Sequence, residues 1–342
     1  MTEAASEHIQ EQAVENLTPE AYEVISGLVG ANDREALLAE LEARHESDIA
    51  EIITVLAPDL RTAFLKLVGN ALEPEVFAEL DEAVRDDVLD IVDTDTLVNT
   101  VQQLDSDDAV FVLEDMADDE RQEVLEKIPQ TERMVLERSL DFPEDSAGRL
   151  MQSEFISVPP FWTVGKTIDY LRETEDLPDD FLEIYIIDPR YTPIGVVHLA
   201  EVLRAQRPNT MESLLHEDFY IIQAETDREE VALLFERYNL VTAPVVDDDQ
   251  RLIGVITADD VFEVIAEEAG EDILRLGGVG DEAVTDTVFE TARGRLSWLF
   301  LNLLTAIAAS LVIGLFDASI GKMVALAVLM PIVASMGGNA GT

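Results

Sequence analysis

Apolar positions along the chain change their period three times, and each change marks a different kind of structure. Between residues 1 and 47 they recur at helical spacing, as Val24, Ile25, Leu28 and Val29 and then as Leu37, Leu38 and Leu41, with a break at Gly30-Ala31-Asn32-Asp33. From Asp48 the pattern repeats every 24 residues: Leu56, Leu80, Leu104 and Ile128 are spaced this way, as are Ile53, Phe77, Val101 and Leu125, and Phe64, Val88, Val112 and Leu136. Each unit predicts two short helices around a polar turn such as Ala57-Pro58-Asp59 or Asp105-Ser106-Asp107-Asp108, whose aspartates are placed to cap the second helix. Units of this kind bury their apolar faces only against their neighbours, so residues 48–140 are expected to stack into an α-solenoid.

Asp141-Phe142-Pro143 ends that period. Strands are predicted at 155–158, 184–187 and 194–197, with helices at 163–173 and 199–205. The same order then recurs: a strand at 220–222, a helix at 227–238 opened by the capping box Thr226-Asp227-Arg228-Glu229, strands at 244–246 and 252–256, and a helix at 258–268 capped by Thr257. Asp188 and Asp247 lie 59 residues apart, as do Gly195 and Gly254, which identifies a tandem βαββα duplication. An acidic helix end, Glu267-Glu268-Ala269-Gly270-Glu271-Asp272, runs into a hinge at Gly277-Gly278. A further helix over 281–295 is acidic at its start and basic at its end, as the helix dipole prefers.

The third change is the sharpest. Residues 296–316, LSWLFLNLLTAIAASLVIGLF, carry no charge, and a helix of that length spans ~30 Å, the thickness of a bilayer's hydrocarbon core. A transmembrane helix is expected there, in preference to a buried helix of a large soluble domain. A second uncharged run, 323–342, contains Pro331 and ends in Gly337-Gly338-Asn339-Ala340-Gly341-Thr342. The expected fold class is multidomain: an N-terminal α-solenoid, a tandem α+β pair and α-helical transmembrane segments.

Composition narrows the chemistry. The formal net charge is −50, and lysine occurs only at Lys66, Lys127, Lys166 and Lys322. Acidity spread along the whole polar part suits a salt-rich cytoplasm, with a cation-binding surface as the competing reading. Nucleic acid is an improbable partner for so acidic a chain. The absence of cysteine excludes thiolate metal sites, disulfides and cysteine nucleophiles. The first ten residues, MTEAASEHIQ, lack the pattern of a cleaved signal peptide, and Arg293 and Arg295 before the first span place the preceding domains in the cytoplasm. No enzyme is expected: His8, His45, His198 and His216 form no HExxH or paired spacing, and Gly277-Gly278-Val279-Gly280 is no P-loop. Asp247-Asp248-Asp249 fits a β-turn and not an EF-hand.

The duplication resembles a pair of CBS domains, through Gly254-Val255-Ile256-Thr257-Ala258-Asp259-Asp260 in the second copy. The resemblance implies that Thr257 contacts phosphate and Asp260 the ribose of an adenine nucleotide such as ATP, and a helix start and a carboxylate suit those groups. An ordinary helix cap with a first-turn acid explains the same two residues. The first copy departs from the pattern, with His198 in place of the Thr and Glu201 in place of the Asp. The whole order, with Glu271-Asp272-Ile273-Leu274-Arg275-Leu276-Gly277, Arg295-Leu296-Ser297-Trp298-Leu299 and Met336-Gly337-Gly338-Asn339-Ala340-Gly341, resembles the MgtE family of magnesium channels and transporters.

That resemblance implies a superhelical domain over 1–143, CBS domains over 144–206 and 207–270, a connecting helix over 271–295 and the first two membrane helices over 296–342. It implies a homodimer, joined through the CBS and membrane domains in a lipid bilayer, in which cytosolic Mg²⁺ closes its own pathway. The acids that would hold this Mg²⁺ are Asp107, Glu229, Asp260, Glu263, Glu268 and Glu271, with Gly337, Gly338 and Asn339 at the pore entrance. Asp260 stands in both the nucleotide and the metal set, which compete for it, and a solvated surface acid is the alternative for each of the metal-set residues. Members of the family have five membrane helices with a pore acid on the last, so a sequence with two spans is expected to be a fragment of such a transporter. A membrane-anchored CBS regulator that senses adenine nucleotide and transports nothing is the competing reading.

Overall fold

The computed structural model describes residues 19–277, apart from 175, 176, 179 and 180, and beyond these only residues 300, 303–305, 307, 308 and 311. The first helix, α1 (Pro19–Ala31), stops at Asn32, which adopts a left-handed φ of 56°. Asp33 then caps α2 (Arg34–Leu41) by accepting from the Ala36 N–H at 3.2 Å.

Four helix pairs follow: α3 (Glu46–Val55) with α4 (Pro58–Val68), α5 (Glu75–Ala78) with α6 (Glu82–Leu89), α7 (Thr94–Gln103) with α8 (Ser106–Glu114), and α9 (Asp118–Lys127) with α10 (Gln130–Leu140). The 24-residue period is the period of burial. Leu56, Leu80 and Ile128, the Ile53 series and the Phe64 series are all buried in one continuous core, with Leu104 partly buried against it. Each fully buried aliphatic or aromatic side chain of this kind contributes about 1.5–3 kcal/mol.

Two buried arginines, also 24 apart, close successive units. Arg61 donates to the carbonyls of Ile53, Thr54 and Leu56 and pairs with Asp87 at 3.1 Å. Arg85 pairs with Asp115, lies 3.4 Å from the Ala78 carbonyl and stacks its guanidinium 3.6 Å from the Phe111 ring centre.

At three of the four pairs the turn residue ahead of the second helix makes no capping bond. The N-cap residues of α4, α8 and α10 are Ala57, Asp105 and Pro129, and none makes a side-chain capping bond. Pro58 has no N–H to satisfy at the start of α4. At α8 the Ser106 N–H is met from outside the domain, as described below, and the Asp108 N–H donates to Asp107 Oδ1 at 2.9 Å. Asp93 does cap a repeat helix, the first of its pair, accepting from Thr96 N at 3.0 Å.

After α11 (Ala147–Leu150) come two lobes of the same topology. The first holds β1 (Ser157–Val158), α12 (Val164–Glu173), β2 (Glu183–Ile187), β3 (Pro193–His198) and α13 (Leu199–Arg204). The second holds β4 (Ile222–Gln223), α14 (Arg228–Tyr238), β5 (Thr242–Val246), β6 (Leu252–Thr257) and α15 (Ala258–Gly277). In each sheet the first strand runs parallel and the third antiparallel to the middle one. The 59-residue offset is kept in detail. Ladder irregularities fall at Ile186/Ile187 and Val245/Val246, and the turns after them use Tyr191 and Gln250 at positive φ. Asp188 and Asp247 each accept two backbone N–H groups in those turns.

The lobes exchange flanking segments. Gln152, ahead of the first lobe, bridges to Val255 on β6, and His216, ahead of the second lobe, bridges to Val196 on β3. Gly195 and Gly254 make these approaches possible: a Cβ at Gly254 would lie 2.6 Å from Met151 Sδ, and one at Gly195 would lie 2.5 Å from the His216 carbonyl.

Three local expectations are corrected. Strand β4 begins at Ile222, because Tyr220 stacks on Tyr238 with ring centres 4.0 Å apart and lies ahead of the ladder. Helix α14 opens on Asp227, whose side chain accepts from Glu229 N at 2.9 Å, and not on a Thr226–Glu229 capping box. Helix α15 runs past Glu268 to Gly277, because Ala269 and the Ile273-Leu274-Arg275-Leu276 stretch are good helix formers that carry it over Gly270.

The predicted helix over 281–295 and the run over 323–342 lie outside the described residues, as does most of 296–316. Within 296–316, Phe300, Leu303, Leu304, Ile307 and Leu311 are helical and exposed. Among the described residues no helix is long and apolar enough to cross a membrane.

Candidate functional site

Of the residues singled out in the sequence, Asp107 of the helical array meets Asp260 and Glu263 of the second lobe across one seam, where the N-terminus of α8 faces the start of α15. The link that sets this meeting is Glu154. Its carboxylate accepts from the Ser106 N–H at 3.2 Å and the Ser106 hydroxyl at 2.7 Å, so α8 is capped by a residue from the segment before β1. Ser153 N donates back to the Ser106 hydroxyl at 2.7 Å, and Gln152 is paired through both its backbone groups with Val255. Arg149 adds a second tie, 3.0 Å from Glu114 on α8. A short relay therefore fixes the α8 N-terminus against the β6–α15 junction.

Four acids are brought together there. Asp107 and Asp108 stand in the first turn of α8, and Asp260 and Glu263 in the first two turns of α15. The Asp107 carboxyl is pushed well above the usual range by burial and then by the charges of Asp260 and Asp108. Asp108 is pushed up to about 7 by burial, Asp260 and Asp105, with Glu263 and Glu79 adding to it. Glu263, an exposed residue overall, is raised to about 7 by loss of water around its carboxylate and by Glu267, Glu79 and Asp260. Asp260 reaches about 6: burial raises it, and the bond from the Thr257 hydroxyl, at 2.5 Å, holds it down. Burial raises all four, Asp260 crowds the other three, and a cation between them would relieve that repulsion.

Glu229 and Glu268 form a separate contact further along α15. The Glu268 carboxyl is raised by burial and by its hydrogen bond with Glu229, while Arg228, 3.1 Å from Glu268 and from Glu267, offsets the repulsion. The side chain of Glu271 and residues Gly337, Gly338 and Asn339 lie outside what is described. Among the described residues no three His, Asp or Glu side chains stand grouped to hold a metal ion, so the seam is a set of facing acids and not a closed cage. As donors they fit a hard divalent ion, which takes carboxylate oxygens and completes its shell with water. Sequence reasoning missed Asp108, Glu79 and Glu154. Asp108 adjoins Asp107, but nothing local distinguishes Glu79 or Glu154 from other surface acids.

Comparison with known proteins decides the family. The MgtE intracellular N domain matches residues 44–145, and the CBS domain matches residues 211–267. The magnesium transporter MgtE of Bacillus subtilis is 30% identical over 213 residues, covering 62% of this chain and 47% of that protein. The chain carries the N-terminal and CBS domains of the MgtE family. A second MgtE, from Thermus thermophilus, is 32% identical over 215 residues, 61% of this chain and 47% of the relative. The chain spans about half the length of the curated MgtE proteins it matches. Among solved structures, the cytosolic domain of the Mg²⁺ channel MgtE in complex with ATP superposes with a TM-score of 0.65 at 26% identity, over 70% of this chain and 98% of that one. The soluble part of a magnesium transporter shares the fold, with a TM-score of 0.63 at 20% identity over 73% and 98% of the two chains. MgtE proteins are transporters and form a non-enzyme family.

Proposed function

We propose that this chain is the cytosolic gate and first membrane segment of a Mg²⁺ transport protein of the cytoplasmic membrane, closed by Mg²⁺ that its own helical and CBS domains bind. The observation that carries the reading is the acidic seam: Asp107 and Asp108 on α8 face Asp260 and Glu263 on α15, all four are raised by burial, and the charge of Asp260 raises the other three further. Bare, the two sides repel. A divalent ion between them reverses the sign of that interaction and favours the docked arrangement, so its binding shifts the population toward it. Glu229, Glu268 and Glu271 would bind further ions along α15, where Arg228 serves as the counter-charge when the ion is absent.

The uncharged run over 296–316, whose described apolar side chains are exposed at helical spacing, supports a lipid-facing span. Gly337, Gly338 and Asn339 would then lie at the pore entrance. Leu203 on α13 and Phe262 on α15 are related by the 59-residue offset and are both 69% exposed, which supports a homodimer formed through the paired lobes.

The test is small-angle scattering and limited proteolysis of the full chain in detergent, at constant high ionic strength, with and without millimolar-range Mg²⁺. Compaction and protection are expected with Mg²⁺, and Asp107→Asn with Asp260→Asn should abolish both. An equal response to an equivalent amount of Na⁺ reduces the effect to screening and sinks the reading. A second reading, an adenine-nucleotide sensor, is favoured by the relative crystallised with ATP. In this chain a nucleotide at Thr257 and Asp260 would have to break their mutual hydrogen bond and draw Asp260 out of the seam. Binding of ATP with no response to Mg²⁺ alone would favour it.

A further inference from the structure

We propose that His198 and His216 form a second cation site, on the first lobe, which takes a borderline divalent ion of the Zn²⁺, Co²⁺ or Ni²⁺ class in preference to Mg²⁺. The chain has four histidines, and these two, 18 residues apart in sequence, stand with ring centres 5.2 Å apart.

Backbone geometry brings them together. His216 is bridged to Val196 by paired backbone hydrogen bonds of 3.1 and 2.9 Å, and His198 lies two residues further along β3, on the same face of the strand. Gly195 permits that approach, since any Cβ there would strike Leu215 and the His216 carbonyl.

Each imidazole is held by its own carboxylate. His198 Nδ1 lies 3.2 Å from Glu183 Oε1, and His216 Nε2 lies 2.8 Å from Glu201 Oε2. Glu183 is itself anchored, accepting from the Thr242 hydroxyl at 2.8 Å, which in turn lies 2.9 Å from the Tyr185 hydroxyl. An ionised carboxylate only accepts, so these contacts put the ring protons on Nδ1 of His198 and Nε2 of His216. That leaves His198 Nε2 and His216 Nδ1 with lone pairs. Carboxylates behind imidazoles are the outer shell that metal-binding histidines use, fixing the tautomer and raising the basicity of the free nitrogen.

Two imidazoles on one tetrahedral ion at about 2.0–2.1 Å per bond place their ring centres roughly 5 Å apart, the separation found here. With two protein nitrogens, the rest of the shell is water, which the half-exposed rings admit: side-chain exposure is 50% at His198 and 45% at His216. Imidazole selects against Mg²⁺, whereas the seam offers carboxylates alone, so the two sites sort ions by donor chemistry. His198 and Glu201 are the two departures of the first copy from the CBS pattern, and both belong to this cluster.

The test uses the full chain with Mg²⁺ in excess, so that carboxylate sites are filled, and follows Co²⁺ by visible absorption and by paramagnetic broadening of the histidine proton resonances. One Co²⁺ per chain is expected, broadening two of the four histidines together. Affinity should fall at least tenfold in His198→Gln and in His216→Gln and stay unchanged in His45→Gln. Unchanged affinity in the His198→Gln/His216→Gln double variant, or displacement of Co²⁺ by added Mg²⁺, overturns the proposal. Should a variant fold poorly, the wild-type chain still decides: broadening of only one histidine, or of all four equally, is equally fatal.

Discussion

Asp108 and Glu263 are placed where their charge works against the fold. Both carboxyls sit near 7 in the folded chain, against ordinary values of 3.8 and 4.5, because they lose water and face other acids. A folded-state pKa above the unfolded one means that the folded state binds the proton more tightly. The associated stability is fully present below about pH 4 and is lost as pH rises toward about 7. Without divalent ions, the melting temperature is therefore expected to fall across that window, with the steepest loss midway through it and a levelling off above about pH 7. Asp108→Asn should flatten the profile and raise the ion-free Tm at neutral pH by about 2–4 °C, the shift that roughly 1 kcal/mol produces in a chain of this size. Thermal melting in chelator as a function of pH checks both. Arg85 is the opposite case, a buried charge with its partners in place. Arg85→Met leaves Asp115 without its counter-ion and exposes the Phe111 face to a weaker neighbour, so urea denaturation should show a loss of about 3–5 kcal/mol.

Elements were legible in the sequence wherever burial alone decides the pattern. The Leu56, Ile53 and Phe64 series mark the repeat because each unit buries those positions against its neighbours, and the Asp188/Asp247 offset marks the duplication because each turn needs the same carboxylate. What the sequence did not disclose is contact between distant segments. Glu154 capping α8, Gln152 paired to Val255 and His216 paired to Val196 all join residues far apart in the chain, with no local period to announce them. Three of the seam's acids, Asp107, Asp260 and Glu263, were reached by resemblance. Asp108, Glu79 and Glu154 act through position in space. The exchanged segments carry a prediction at this scale. A methyl at Gly254 would meet Met151 Sδ and Cγ and the Gln152 carbonyl at 2.6, 2.7 and 2.8 Å, so Gly254→Ala pushes the 151–154 segment off β6. A cost of about 1–3 kcal/mol is expected, as for other overpacked interiors. Because Glu154 moves with that segment, faster hydrogen exchange at the Ser106 amide should accompany the lower stability, and that readout distinguishes an uncapped α8 from a general loss of packing.

At the scale of the whole molecule, 72 acidic against 22 basic residues make any second copy of the chain an electrostatic opponent, and apolar contact is one force that can offset the repulsion. The paired lobes expose such contact in duplicate: Leu203 on α13 and Phe262 on α15 occupy equivalent positions, with Ile265 one turn beyond Phe262. Burying two large side chains from each copy, at about 1.5–3 kcal/mol apiece, is a substantial share of the energy a stable dimer needs. Repulsion between the acidic surfaces is screened within about 10 Å at 0.1 M salt and within about 3 Å at 1 M, so association should tighten as salt rises, opposite to an interface held by ion pairs. Sedimentation velocity of the full chain across that range is expected to show a dimer favoured at high salt. Leu203→Glu with Phe262→Glu places like charges at both equivalent positions and should give monomer at every salt concentration, with the fold intact, because both side chains already face water in the single chain. A dimer that persists in the double variant would move the contact elsewhere on the molecule and leave the two exposed side chains without a role in assembly.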